Sequence, residues 1–196
     1  MNVLDSYVNN HQDASGDPME GLMSTLPATP KVTEVQIAQF LAAARDTIAA
    51  VPHCWLATRS ADGGANARAV RSSAGAPGDD EWTRRFLVRR GSRKVAEMRA
   101  APRVTLGYQH DSGSAYVALG GEAILVEDRA EMRSMWPGRM DAMFPPGFAD
   151  ANMMVVRVLV DRIELHVRGV TREPFGHGRT LIERNGTGGW RFVPDY

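Results

Sequence analysis

The sequence contains a single cysteine, Cys54, among its 196 residues. One cysteine excludes an internal disulfide framework and any cysteine-rich metal site. The chain also lacks a hydrophobic run of the roughly 20 residues that a membrane helix needs, and it has no basic-then-apolar segment typical of a signal peptide. We therefore expect a protein of a reducing, cytoplasmic compartment that makes no membrane contact.

The sequence signatures of common catalytic classes are missing as well. The chain has no G-x-S-x-G nucleophile motif, no P-loop and no G-x-G-x-x-G after a strand. Its five histidines include no pair at metal-ligand spacing beside a cysteine or a carboxylate pair, so we predict no metal site. His53 and Cys54 are neighbours in a predicted strand and point to opposite faces, which prevents a nucleophile–base pair. We expect Cys54 to be buried and unreactive.

Net charge is also absent, because 23 Lys and Arg residues balance 23 Asp and Glu residues. The charges are nevertheless unevenly distributed along the chain. Residues 1–30 contain four acids and no Lys or Arg, and they are rich in Asn, Asp, Ser, Gly and Pro. This composition predicts a disordered acidic leader, followed by one folded domain over residues 31–196.

The cations concentrate between Arg84 and Arg103, where eight of them accompany one acid, Glu97. A cluster of this kind indicates an anionic partner or, on charge alone, a solvated surface. Nucleic acid is disfavoured as the partner, because few aromatic residues lie nearby and the isoelectric point of the chain is about 7.0. A phosphate group on a small molecule is the favoured ligand.

Hydrophobic periodicity predicts a mainly β protein, an antiparallel barrel with few helices. A capping box at Thr33 and Gln36 begins an amphipathic helix that Pro52 ends. The predicted strands cover residues 53–58, 65–73, 84–89, 103–109, 115–126, 153–167 and 179–184, with short helices after Ser92 and after Asp128. A bulge is predicted at residues 120–121 and a kink at residues 161–162.

A strand-to-helix corner lies within the basic segment, at residues 91–94 (GSRK). The N-terminus of a helix exposes unpaired N–H groups and a partial positive charge. Arg93 adds a planar fork and Lys94 a point charge, a combination that suits phosphate. Arg68 and Arg71 lie on a preceding strand and face opposite sides, so at most one of them joins the corner.

Several segments, in order and spacing, resemble the pyridoxamine 5′-phosphate oxidase-like superfamily of FMN-binding split barrels. Residues 86–106 resemble the family's strand, Ser-Arg-Lys corner, short helix and "NPRV" strand entry. The hairpin and the following strand of the family are matched by Asp62-Gly63, Arg68-Ala69-Val70 and residues 116–122 (YVALGGE). The general-stress-protein branch of the family is matched by Asp128, Trp136 and residues 144–147 (FPPG).

The resemblance implies a split-barrel homodimer that binds FMN at the subunit interface. It implies that Arg68, Arg93 and Lys94 hold the FMN phosphate, and that backbone around Ala69, Val70 and Val88 contacts the isoalloxazine or ribityl part. Tyr116 stands where the oxidases have a Gln beside the flavin, and Arg179 is in register with an Arg of their C-terminal motif.

Departures from the family pattern argue against oxidation of pyridoxamine 5′-phosphate itself. Ser72 and Ser73 replace a Lys that holds the substrate phosphate, residues 129–140 lack the other substrate ligands, and Phe175 replaces an Arg of the C-terminal motif, although His177 stays in register. We expect a flavin-dependent oxidoreductase acting on an unidentified small molecule. The alternatives are a flavin-binding stress or sensor protein without turnover, and the same barrel binding deazaflavin or haem.

Overall fold

The computed structural model of the chain describes residues 32–136, 138, 140–143, 147–148, 152–174 and 178–194. Three sequence predictions lie outside these residues. They are the leader at residues 1–30, most of the segment at residues 144–147, and the C-terminal motif at residues 175–177. Within the described residues, no helix is both long enough and apolar enough to cross a membrane.

Four α-helices accompany the sheet in the part of the chain that the structure describes. The helices are α1 (Glu34–Ala50), α2 (Arg93–Ala100), α3 (Arg129–Ser134) and α4 (Met140–Met143). The predicted capping box at the start of α1 is confirmed, because Gln36 N donates to Thr33 Oγ1 at 3.2 Å and Thr33 N donates to Gln36 Oε1 at 2.9 Å. Two orphan amide groups of the helix terminus are thereby satisfied.

Nine strands form one antiparallel sheet, which confirms the predicted fold class. The strands are β1 (Cys54–Arg59), β2 (Ala65–Val70), β3 (Ser73–Ala74), β4 (Arg84–Arg89), β5 (Arg103–His110), β6 (Ala115–Val126), β7 (Met153–Val167), β8 (Thr180–Arg184) and β9 (Trp190–Val193). The order across the sheet is β2-β1-β5-β6-β7-β4-β3, and β8 and β9 extend it from β7. The sheet curls into a half-barrel.

Two strand predictions need correction. The strand predicted at residues 65–73 ends at Val70, and Ser73–Ala74 pairs instead with β4. Residues 190–193 form a further strand that pairs with β8, so β8 and β9 form a hairpin. Both missed strands have four residues or fewer, and such short segments carry too little alternation to reveal a period.

The predicted bulge and kink form a single irregularity between β6 and β7. Gly120 pairs with Arg162 and Gly121 with Val160, so Asp161 has no partner in the ladder. The backbone approaches Gly121 closely, because a Cβ atom at this position would lie 2.3 Å from the carbonyl oxygen of Leu159. Only glycine fits here, and the bulge bends the two longest strands around the core.

The inner face of the sheet carries the main core, and two of the sheet's open edges lie at β2 and along the part of β4 that β3 does not cover. Alternate residues of the strands point inward, among them the fully buried Leu56, Leu106 and Leu119, which are consecutive partners across β1, β5 and β6. β2 ends the strand order, and β3 pairs with only the first two residues of β4. One edge of β4 from Phe86 onward therefore has no strand paired to it among the described residues, and the barrel is open there.

Candidate functional site: a basic corner at the start of α2

The basic corner forms where β4 passes into α2. Ser92 has extended backbone angles (φ −78°, ψ 149°), and α2 then buries Val95 and Met98 against the core. The helix begins where the sequence predicts, but the Ser92 side chain makes no capping hydrogen bond. Its Oγ atom is buried and has no hydrogen-bond partner among the described residues. A buried hydroxyl without a partner is costly, so this corner has an unused polar group at a helix N-terminus.

Arg68 and Arg93 reach the corner from different elements and contact the same carboxylate. Arg68 Nη2 lies 2.8 Å from Glu97 Oε2, and Arg93 Nε lies 3.3 Å from Glu97 Oε1. Arg71 lies beyond the end of β2 and is exposed. Arg68, and not Arg71, therefore contacts α2.

Glu97 is buried and accepts hydrogen bonds from both neighbouring strands. Thr58 Oγ1 donates to Oε2 at 2.6 Å, and Asn66 Nδ2 donates to Oε1 at 2.7 Å. Arg68 Nη1 also donates to Thr58 Oγ1. The hydrogen bond from Thr58, followed by those from Arg68 and Asn66, lowers the pKa of Glu97 although burial opposes this shift. The carboxylate is therefore charged at neutral pH.

Lys94 lies next to these groups and has an unfavourable environment for its charge. Burial, followed by repulsion from Arg68, lowers the pKa of the Lys94 ammonium, whereas Glu97 raises it. The three cations and the single acid leave the corner with two net positive charges. An anion bound here would stabilise the charged form of Lys94.

An open cleft of about 550 Å³ lies directly beside the corner. Asn66, Arg93 and Glu97 form one of its walls, and the turn after β1 together with small residues of α2 forms the rest. A ligand held by Arg93 would thus have space beside it, whereas Arg68 and Lys94 do not line this cleft.

The segments predicted to contact the flavin ring belong to the open edges of the sheet. Ala69 and Val70 lie on β2, immediately after Arg68, and β2 is the last strand of the order. Val88 lies on the part of β4 that β3 does not cover, and its side chain is buried in the core. Only the backbone of Val88 is therefore available at the edge. A backbone contact at Val88 is what the family resemblance implies.

Tyr116 and Arg179 do not join the corner within one chain. Tyr116 is exposed on the outer face of the sheet, where it lines a cleft of about 240 Å³ with Trp55 and His166. Arg68, in contrast, belongs to a row of cross-strand partners that includes Leu119 of β6. Leu119 lies three residues, or roughly 10 Å, further along β6 than Tyr116. Arg179 directly precedes β8, at the end where β8 pairs with Leu165. The eight predicted residues thus form two separate groups.

A second polar cluster lies inside the barrel, away from the helix N-terminus. The hydroxyl oxygens of Ser72 and Tyr108 are 2.7 Å apart, and both side chains lie beside the Cys54 thiol. Burial raises the pKa of the Cys54 thiol and also that of the Tyr108 phenol. These shifts hold both groups in their neutral forms, as expected for an unreactive cysteine. No group of three metal-ligating side chains occurs among the residues that the structure describes.

Sequence reasoning did not identify Glu97, Thr58 or Asn66 as parts of the site. Glu97 was visible as the only acid within the basic segment, four residues after Arg93, which is the spacing of a helical ion pair. No local pattern predicts the contacts of Thr58 and Asn66, since they come from strands that are 39 and 31 residues distant from Glu97.

Comparison with known proteins agrees with this architecture. A family model described as "Pyridoxamine 5'-phosphate oxidase like" matches residues 40–167, more than half of the chain. A search of curated proteins found no significant match.

Solved structures share the fold at low sequence identity. A pyridoxamine 5′-phosphate oxidase-related, FMN-binding protein from Nostoc punctiforme aligns with a TM-score of 0.59 and 16% identity, over 83% of this chain and 96% of its own. A protein related to general stress protein 26 from Clostridium acetobutylicum aligns with a TM-score of 0.60 and 13% identity, over 76% and 95%. PhzG from Burkholderia lata aligns with a TM-score of 0.58 and 17% identity, over 84% and 92%.

Proposed function

The chain belongs to the pyridoxamine 5′-phosphate oxidase-like family, and from this membership we propose that it binds FMN and holds the phosphate at the start of α2. One observation carries the proposal: Arg68, Arg93 and Lys94 come together from two distant segments around the buried carboxylate of Glu97, at the start of α2. Cationic side chains and helix N–H groups suit a phosphate monoester, which has close to two negative charges at neutral pH.

Each residue of the corner has a definable role in this proposal. Arg93 and Arg68 donate charge-assisted hydrogen bonds to phosphate oxygens, and Lys94 adds a compact charge. Ser92 Oγ donates its unused hydrogen bond to the same group. The open edges of β2 and β4, at Ala69, Val70 and Val88, offer backbone groups to the ribityl chain and the ring.

We propose that a second copy of the chain completes the site. Tyr116 and Arg179 are separated from the corner within one chain, and a partner subunit would bring its own copies to the ring. The outer face around Trp55 and Tyr116 supports this arrangement, because Trp55 is 54% exposed and small residues such as Gly107 and Ala118 surround it. A large aromatic side chain exposed on a flat sheet face is typical of an interface.

The proposed reaction class is flavin-dependent oxidoreduction of a small molecule, in a cytoplasmic setting. A bound flavin supplies the redox chemistry, and the protein supplies binding, orientation and electrostatics. Among the described residues, Cys54 and Tyr108 are buried and held in their neutral forms, so neither the thiol nor the phenol supplies an acid or base for the reaction.

Titration with FMN and with riboflavin tests the binding proposal. Riboflavin lacks only the phosphate, so the ratio of the two affinities measures the contribution of the corner. We expect FMN to bind at least tenfold more tightly, which corresponds to about 1.4 kcal/mol. Equal affinities would contradict the assignment of the corner. Reduction by NAD(P)H followed by reoxidation under multiple turnover would support an enzyme, whereas a flavin that is bound but never reduced would support a binding protein.

A further inference from the structure

Glu97 occupies an unusual position for an acid, because it lies within a site whose proposed ligand is an anion. Glu97 is 8% exposed, and its carboxylate accepts hydrogen bonds from Thr58, Asn66 and Arg68 and forms an ion pair with Arg93 at 3.3 Å. A buried carboxylate with this many partners is fixed in position. Its negative charge would repel a phosphate. A favourable effect of the carboxylate on the site must therefore outweigh this repulsion.

The contacts of Glu97 determine where the two arginines point. Arg68 directs one amino group to Glu97 and the other to Thr58 Oγ1, so its guanidinium is held at two points. Arg93 has a side chain that is 72% exposed and contacts Glu97 through Nε, which leaves the outer end of its fork to face a ligand. Without the carboxylate, two guanidinium groups and Lys94 would repel one another, and the exposed Arg93 would sample many rotamers.

We propose that Glu97 is a positioning residue for phosphate recognition: its buried carboxylate holds Arg68 and Arg93 in the arrangement that receives a phosphate monoester. The acid also reduces the charge of the corner to two net positive charges, which a phosphate dianion neutralises. This inference rests on the proposed function, because it assigns the ligand of the same site. It adds that the binding geometry is set before the ligand arrives, by a residue that the ligand does not touch.

The substitution Glu97→Gln tests the proposal, because glutamine keeps the size of the side chain and removes the charge. We expect the affinity for FMN to fall about tenfold, as it does when an outer hydrogen-bond partner of a metal ligand is lost. The affinity for riboflavin should stay unchanged. The ratio of the two affinities is therefore the readout, and a loss of stability alone does not change it.

Glu131→Gln is the matched control. Glu131 lies on α3, and its side chain is 12% exposed. It also has two arginine partners, Arg85 at 3.5 Å and Arg157 at 2.7 Å. Its loss should lower the melting temperature and leave the FMN-to-riboflavin ratio at the wild-type value. If Glu97→Gln lowers both affinities in parallel, the role is purely structural and the proposal is wrong. If it strengthens FMN binding, Glu97 competes with phosphate for the arginines, and the proposal is also wrong.

A second variant keeps the test decisive if Glu97→Gln does not fold. Thr58→Val is nearly isosteric, keeps the carboxylate and removes the hydroxyl that links Arg68 to Glu97. It should reduce the same ratio by a smaller factor, and an unchanged ratio would overturn the proposal.

Inorganic phosphate separates this inference from the proposed function. If the wild type binds neither flavin, the proposed function fails. The Glu97 inference is then decided by the increase in melting temperature on adding phosphate at constant ionic strength. This increase should disappear in Glu97→Gln and persist in Glu131→Gln, and an equal increase in all three proteins would contradict the inference.

Discussion

Arg68 illustrates how far individual residues could be predicted from the sequence. Strand alternation limited the corner to at most one of Arg68 and Arg71, and the family resemblance then selected Arg68. The partners of Arg68 could not be predicted, because Thr58 and Glu97 belong to other elements and meet it only after the sheet has curled. The charges were thus readable as a cluster with Glu97 as its one acid, whereas the contacts of Glu97 with Arg68 and Thr58 were not.

Substitution of the two cations on α2 provides the first prediction. Arg93→Ala and Lys94→Ala should each weaken FMN binding by about 1.5–3 kcal/mol, or about 10- to 150-fold in Kd, because each removes a charge-assisted phosphate contact. The loss for Arg93→Ala should lie at the lower end of this range, since the Arg93 side chain is 72% exposed. Fluorescence titration measures both values. Arg71→Ala is the control and should bind as the wild type does. Unchanged Kd values in both variants would show that the phosphate binds elsewhere.

The reactivity of Cys54 provides a second prediction. The thiol is 2% exposed, and burial raises its pKa. At pH 7 to 8 the thiolate population should therefore be smaller than in an exposed cysteine, and a disulfide reagent should react at least 100-fold more slowly with the folded protein than with the protein in denaturant. Equal rates in the two conditions would show that Cys54 is accessible.

At the level of elements, long and strongly periodic segments were predictable and short ones were not. β6 has the predicted bounds, and the bulge falls at the predicted glycines, because alternation over twelve residues and a Gly-Gly pair give independent signals. β3 and β9 were missed because tertiary pairing, and not local pattern, defines strands of two and four residues. The site depends on the part of this architecture that was predictable, namely the passage from β4 into α2.

The bulge between β6 and β7 provides a prediction at this scale. Gly121→Ala should lower the free energy of unfolding by about 1–3 kcal/mol, because the added Cβ would lie 2.3 Å from the carbonyl oxygen of Leu159. Gly120→Ala is the matched control in the same bulge. Its Cβ would approach no heavy atom more closely than 3.4 Å, at Arg162, and the flexible side chain there can adjust. Urea denaturation of both variants measures the difference. Equal stabilities would mean that the strands can separate at Leu159 without cost.

At the level of the whole molecule, the proposed flavin site is divided between two faces of the chain. The corner opens beside α2, whereas Tyr116 and Trp55 lie on the outer face of the sheet. The sequence could indicate both groups of residues through the family resemblance. It could not show that they are separated within one chain, because the separation depends on which face each strand turns outward.

This division predicts a dimer whose disruption removes the cofactor. The wild type should sediment at twice the mass of one chain. Trp55→Asp should produce monomers and weaken FMN binding, because it places a charge in an apolar interface. Val35→Asp is the control, since Val35 is another exposed apolar residue (68%) but lies on α1. A monomeric wild type that binds FMN fully would contradict the shared site.

Removal of residues 1–30 provides a further prediction at this scale. The segment has an acidic composition with no Lys or Arg, and the proposed site draws only on residues after it. The shortened protein should keep its melting temperature and its flavin content. A loss of either would show that the segment contributes to the fold or covers the site.

The central claim is that the chain binds a phosphate-bearing flavin, and the identity of the cofactor that accompanies the protein tests it most directly. The protein is purified without added cofactor, its absorption spectrum is recorded, and the mass of the released ligand is determined. We expect the two absorption bands of an oxidised flavin in the blue and near ultraviolet, and the mass of FMN. A haem Soret band, the mass of a deazaflavin, or a colourless protein that takes up no FMN on titration would contradict the claim.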